Sequence, residues 1–135
     1  MILVDANIIM YAAGADHPHK QPCVRLLERI AGGEIEATID AEVLQEILHR
    51  YRAIRRWEDG RRVYDLARRL FPQVIPVTTV VLDRARRVLD SDDRIMARDA
   101  LHAAVVMTEG LEAVYSYDRD FDRIRGIVRR EPEAP

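Results

Sequence analysis

ILVDANIIMY, residues 2–11, joins two patterns at a single acid. Ile2, Leu3 and Val4 are a continuous apolar run, as in a short strand covered on both faces of a parallel sheet. Residues 6–14 then predict a short helix ending at Gly14. Asp5 stands at the junction, where the surrounding pattern reads as buried. Open parallel sheets bind ligands beyond the carboxyl ends of their strands. An acid at that point is either a turn residue or the first member of a site. The choice rests on whether other acids fall in equivalent places.

The same alternation runs along the chain. A helix over 22–31 stops at Gly32 and Gly33, and within EIEATI (34–39) residues 35–39 predict a second strand. Asp40 is placed to N-cap a helix over 41–57, whose apolar stripe is Val43, Leu44, Ile47, Leu48, Tyr51 and Ile54. A helix over 59–71, a strand over 74–77 and a helix from Thr78 or Thr79 to 89 follow. Residues 90–93 read as a loop, 95–110 as a helix with a glycine stop, and 113–116 and 127–129 as strands. Strand after helix argues for a parallel α/β sheet with helices on both faces. At 135 residues the chain is expected to form one domain over 1–130, with a frayed tail at 131–135.

Composition describes an ordinary soluble globule with a net charge of −2. Charge distribution says more. Only Lys20 among the 21 basic residues is a lysine, and residues 50–69 hold eight arginines against three acids, a local net charge of +5. Arginine suits bidentate phosphate contact, although a charge run of this kind also describes a solvated helix face. Cys23 is alone, which excludes an intramolecular disulfide and fits a reducing cytoplasm. No basic segment precedes the opening apolar run and Asp5 interrupts it, so neither a signal peptide nor a membrane span is expected.

Three further acids fall where they can meet Asp5. Asp118 lies two residues past the strand AVYS, at the same sheet edge if the strands are parallel. Glu46 flanks the apolar stripe of its helix and can lean over that edge. Asp99 sits in the first turn of its helix, where a carboxylate is favoured, and Ala100, Ala103 and Ala104 allow that helix close to the sheet. Singly, each acid has an ordinary structural reading as a turn residue, a helix-start acid or a solvent-facing side chain. Together, four carboxylates repel unless neutralised, and hard divalent cations with oxygen ligands do that. Such a site stabilises the charge that develops on a phosphodiester.

Rival chemistries fit poorly. A post-strand aspartyl nucleophile of the haloacid-dehalogenase type needs DxD, where Asn7 stands, and a late lysine, which is absent. DRDFDRIRGIVR has Arg123 and Arg129 at the glycine and glutamate positions of a calcium loop. The histidines have no zinc spacing with Cys23. His102, three residues after Asp99, reads as a packed helix histidine rather than a ligand.

VDANIIMY, AEVLQEILHRY, ARDALHAAVV and YSYDRDFDRI, in this order and at these separations, make the chain resemble a PIN domain over residues 1–128. The likeness is strongest to VapC-type toxins of type II toxin–antitoxin systems. The resemblance implies a three-layer α/β/α sandwich with a mainly parallel four- to five-stranded sheet, and a metal-dependent endoribonuclease. It places the acidic quartet on Asp5, Glu46, Asp99 and Asp118, holding one or two Mg²⁺ or Mn²⁺ ions. Glu46 would support the attacking water, and the products would carry a 5′-phosphate and a 3′-hydroxyl. Asn7 and Ser116 match supporting polar positions. Asp120 can share or replace the role of Asp118, and Glu42 is a weaker competitor for Glu46. Ala6 departs from the common Thr or Ser.

The resemblance also implies a VapB-like antitoxin, an RNA substrate such as tRNA or an rRNA loop, and a homodimer. Arg50, Arg52, Arg55, Arg56, Arg61 and Arg62 are candidate contacts to RNA or antitoxin, and Tyr51, Ile54, Trp57 and Tyr64 candidate dimer contacts. Two other functions stay open: a PIN-fold module acting through its antitoxin complex on operator DNA, and a PIN nuclease of RNA processing without an antitoxin.

Overall fold

The computed structural model describes residues 1–133. Strand β1 (Ile2–Val4) leads into α1 (Ala6–Ala13) and α2 (Lys20–Ala31); β2 (Ala37–Asp40) leads into α3 (Ala41–Ala53) and α4 (Trp57–Leu70). Then come β3 (Val74–Ile75), α5 (Thr79–Ser91), α6 (Ala97–Glu109), β4 (Val114–Tyr115), a 3₁₀ turn (Arg119–Arg123) and β5 (Arg129–Arg130). The strands form one sheet in the order β3-β2-β1-β4-β5, and every pairing is parallel.

Period-two alternation along β1 divides the core. Leu3 packs with the α5–α6 side, around Val81, Ala103, Val105 and Phe121. Val4 packs on the opposite face with Ile8, Cys23, Ile39, Val43 and Ile47 of the α1–α4 side. Helices therefore cover both faces, giving the expected three-layer sandwich. Ala100, Ala103 and Ala104 of α6 are fully buried, so this helix sits close against β1 and β4.

The local signals act as chemistry requires. Asp40 Oδ1 accepts from Val43 N at 3.0 Å and Thr78 Oγ1 from Val81 N at 3.3 Å, capping α3 and α5. Gly110 ends α6 at φ 65°.

Some boundaries differ from expectation. β2 begins two residues later than the 35–39 strand and includes Asp40. α2 starts at Lys20 and accommodates Pro22 within its first turn, where the missing N–H is harmless. The helix expected over 41–57 ends at Ala53. Arg55 takes a left-handed φ of 59°, Arg56 N donates to Tyr51 O at 2.9 Å, and α4 starts anew at Trp57. The hairpin is held by close contact. A Cβ on Gly60 would lie 2.5 Å from Tyr51 Cβ, and the Arg52 guanidinium sits 4.8 Å from the Trp57 ring centre. Of the expected tail, Pro132 is buried and Arg29 Nη1 lies 4.0 Å from Glu133 Oε2, while residues 134–135 fall outside the described ones. Among the described residues, no helix is long and apolar enough to cross a membrane.

Candidate active site

Parallel strands β1 and β4 end side by side, and the chain turns there into α1 and the 3₁₀ segment. This brings Asp5 and Ser116 together across 111 residues: Ser116 Oγ donates to Asp5 Oδ2 at 2.6 Å. Asn7 Nδ2, in the first turn of α1, donates to Ser116 Oγ at 3.0 Å and to Asp5 Oδ2 at 3.3 Å. Ala6 N donates to Asp5 Oδ1 at 2.7 Å. Asp118 N donates to Ser116 Oγ at 2.9 Å, so one buried hydroxyl braces both acids. Asp118 then caps the 3₁₀ turn through a 2.9 Å bond from Asp120 N to its Oδ1.

Helix α3 brings Glu46 to this point and α6 brings Asp99. Asp5, Glu46, Asp99 and Asp118 line a single cavity of about 190 Å³ with Ala6, Asn7, Met10, Arg50 and Arg98. Asp5, Glu46 and Asp99 are buried. One oxygen from each of Asp99, Asp118 and Asp120 lies within 4.8 Å of the others. Asp120 is drawn outward to an ion pair with Arg123 and does not line the cavity, which leaves Asp118 as the inward acid. Glu42 is half-buried and outside the cavity.

The electrostatics record the crowding. Burial, then the charges of Asp118 and Asp5, push the Asp99 carboxyl up to about 7. Burial also raises the pKa of Asp5, against the lowering effect of His102. The donors that line the cavity are carboxylate oxygens together with Asn7 Oδ1, a buried oxygen without a hydrogen-bond partner among the described residues, and behind them a His102 nitrogen lies within 4.8 Å of an oxygen of Asp5 and one of Glu46. Several hard oxygens, crowded negative charge and one unsatisfied acceptor fit a divalent cation with oxygen preference.

Two further groups belong to the cluster. His102, fully buried on α6, places Nδ1 2.7 Å from Asp40 Oδ2 and Nε2 3.2 Å from Glu46 Oε2 and 3.6 Å from Asp5 Oδ1. Burial alone would lower its pKa. The charges and hydrogen bonds of Asp40, Glu46 and Asp5 outweigh that and hold it well above the ordinary value. Arg98 Nε stands 3.7 Å from Glu46 Oε1 at the rim. The spacing of three between Asp99 and His102 carries the signal for the histidine: both must look the same way from α6.

The six arginines read as contacts divide. Arg50 lines the cavity. It also lines, with Asn7, Met10, Tyr11, His17 and Tyr51, a wider cleft that continues from it. Arg52 lies over Trp57, and Arg56 and Arg62 pair with Asp59 at 2.7 and 3.7 Å. Arg55 occupies the turn between α3 and α4, and Arg61 is exposed on α4. Of the candidate dimer contacts, Ile54 is exposed and Tyr51, Trp57 and Tyr64 are half-buried.

Residues 2–127 match the family model of the PIN domain. The VapC ribonuclease Mb1869c of Mycobacterium bovis is 44% identical over 129 residues, 96% of this chain and 98% of that protein. Ribonuclease VapC7 of Mycobacterium tuberculosis is 34% identical over 138 residues, 99% of this chain and 93% of that protein. Among solved structures, VapBC2 from Rickettsia felis, bound to a DNA fragment from its promoter, matches with a TM-score of 0.75 at 19% identity, covering 98% of this chain and 100% of that one. FitAcB from Neisseria gonorrhoeae matches with a TM-score of 0.75 at 17% identity, covering 98% of both chains. The structures share the fold, and the full-length sequence relatives share more than that. The chain belongs to the PIN-domain family and to its VapC branch.

Proposed function

We propose that the protein is a metal-dependent endoribonuclease and the toxin of a type II toxin–antitoxin pair. The observation that carries this reading is the convergence of Asp5, Glu46, Asp99 and Asp118 on one cavity, with Asp5 and Asp118 braced by a single buried hydroxyl. Relatives named as ribonucleases, matched over nearly their whole length, support it.

Asp5, Asp99 and Asp118 would hold one or two Mg²⁺ or Mn²⁺ ions, with Asn7 Oδ1 available to a coordinated ligand. A divalent cation at such a site supplies Lewis-acid stabilisation of the phosphate and lowers the pKa of water. The chain's own groups do the rest. Glu46 orients the attacking water and accepts its proton at a carboxylate oxygen. Ser116 and Asn7 prevent Asp5 from rotating. Arg50 and Arg98, at the rim, attract the RNA backbone and offset the negative charge a phosphate meets there. The wider cleft along Tyr11, His17 and Arg50 would receive the flanking strand or, in the inhibited state, a segment of a VapB-like antitoxin. A homodimer and a cytoplasmic location complete the proposal.

A module working only through operator DNA would not need a carboxylate cluster held at this cost in repulsion. Asp5→Asn in purified protein supplied with Mg²⁺ or Mn²⁺ tests the assignment. Cleavage of structured RNA should disappear while the circular dichroism spectrum is unchanged, and retained cleavage would refute the role given to this site.

A further inference from the structure

His102 is the one histidine of four that is fully buried. It lies on α6, one turn beyond Asp99, and reaches across to α3, which carries Glu46. Both ring nitrogens meet a carboxylate: Nδ1 lies 2.7 Å from Asp40 Oδ2, and Nε2 lies 3.2 Å from Glu46 Oε2. Asp40 is itself fully buried, and its two oxygens are divided between two tasks. Oδ1 caps α3 through Val43 N at 3.0 Å, and Oδ2 holds the ring. A closed circuit results. Asp40 starts the helix that bears Glu46, and it fixes the imidazole that grips Glu46 from the other side.

The geometry points to His102 as a positioning residue that, held by Asp40, sets the rotamer of Glu46 and its distance from Asp99, and does not itself ligate metal. Three observations support this. Each ring nitrogen already faces a carboxylate oxygen, and His102 is not among the residues that line the cavity shared by Asp5, Asp99 and Asp118. With no solvent exposure, the ring cannot swing to a second orientation. Without this contact, exposed Arg98, at 3.7 Å, would be the one polar partner within 4.0 Å of the Glu46 carboxylate among the described residues. Orienting partners of this kind typically change activity or metal affinity about 10- to 100-fold when removed. The role rests on the nuclease reading above.

Two variants separate the nitrogens. His102→Asn keeps an amide donor near the Nδ1 position, so Asp40 stays partnered while Glu46 is released. His102→Gln keeps a donor near Nε2, facing Glu46. For cleavage of one RNA in Mg²⁺, His102→Asn is expected to lower kcat about 10- to 100-fold with little change in KM. His102→Gln should recover a substantial part of that loss. A second measurement needs no catalysis. In protein labelled with ¹⁵N-histidine, the ring-nitrogen resonances absent from His102→Asn should keep their pattern when Mg²⁺ is added to saturation. Conversion of the Nε2 resonance to that of a metal-bound nitrogen on adding Mg²⁺ would make His102 a ligand and overturn the proposal. A wild-type kcat in His102→Asn would overturn it too, with the nuclease reading intact. A wild-type protein that cleaves nothing would remove that reading, and this role with it.

Discussion

Ser116 Oγ ties Asp5 to Asp118: it donates to Asp5 Oδ2 at 2.6 Å and accepts from Asp118 N at 2.9 Å, with no solvent exposure. The hydroxyl has one proton, and it goes to the carboxylate. Asp5 is buried and its pKa raised by that burial, so a donor that favours the ionised form matters here. Ser116→Ala removes a charge-assisted bond and leaves Asp118 N without this acceptor. Unfolding in urea should show a loss of about 2 kcal/mol. Metal affinity should fall as well, because the charged form of Asp5 loses support. A variant as stable as wild type would show that Asn7 Nδ2 and Ala6 N suffice to brace the acid.

The pH dependence of the metal-free protein follows from the raised groups. Asp99 is raised from 3.8 to about 7, so across that window the folded chain keeps a proton that the unfolded chain has released. Stability therefore falls as pH rises through it and levels off above. His102 is raised above 6.5 in the folded state, so its contribution is complete below that value and is lost as pH climbs through the folded pKa. Asp5 is shifted in the same direction. The melting temperature without metal should drop from about pH 5 to about pH 8, and Mg²⁺ or Mn²⁺ should restore it most at the alkaline end. Asp99→Asn should flatten the profile and shrink the metal effect. A wild-type curve that rises with pH would contradict the crowding of these carboxylates.

The fold was largely legible because its signals are local. Continuous apolar runs mark Ile2–Val4 and Val114–Tyr115, and Asp40, Thr78 and Gly110 bound their helices through their own side chains or backbone. The break after Ala53 was not legible. A left-handed residue is usually Gly or Asn, and here it is Arg55, held by packing of Tyr51 on Gly60, nine residues apart. The site shows the same division. Asp5 and Asp118 follow from strand ends, whereas the choice between Asp118 and Asp120 depends on which way a 3₁₀ turn points. Asp40 was read as a cap and is also the partner of His102, 62 residues away. The arginine run was read as one patch. Over two packed helices it divides, so that only Arg50 of the run reaches the cavity, while Arg98 arrives from a segment outside the run.

Gly60 offers a test of the hairpin. Alanine in a helix interior ordinarily gains about 1 kcal/mol over glycine. Here the added Cβ would meet Tyr51 Cβ at 2.5 Å, an atom close to the backbone that cannot swing away. Overpacking of that kind costs about 1–3 kcal/mol, so Gly60→Ala should lower the denaturation midpoint despite the propensity gain. An increase would mean that α3 and α4 slide apart freely.

Arg50 and Arg98 both line the cavity, yet their surroundings differ. Arg50 sits on the side that continues into the wider cleft, with no ion-pair partner within 4.0 Å among the described residues. Arg98 faces Glu46 at 3.7 Å. Arg50→Ala should therefore weaken RNA binding with kcat nearly unchanged. If it contacts one phosphate of a single-stranded segment, the slope of log affinity against log salt should fall in magnitude by about 0.7. Arg98→Ala removes a backbone-attracting charge and also a neighbour of Glu46. It should raise KM and lower kcat together, with the kcat effect smaller than in His102→Asn because the Arg98 side chain is 62% exposed and water screens the contact. Competition decides which surface the RNA uses: if neither substitution alters KM or the salt slope, the RNA strand does not cross this rim.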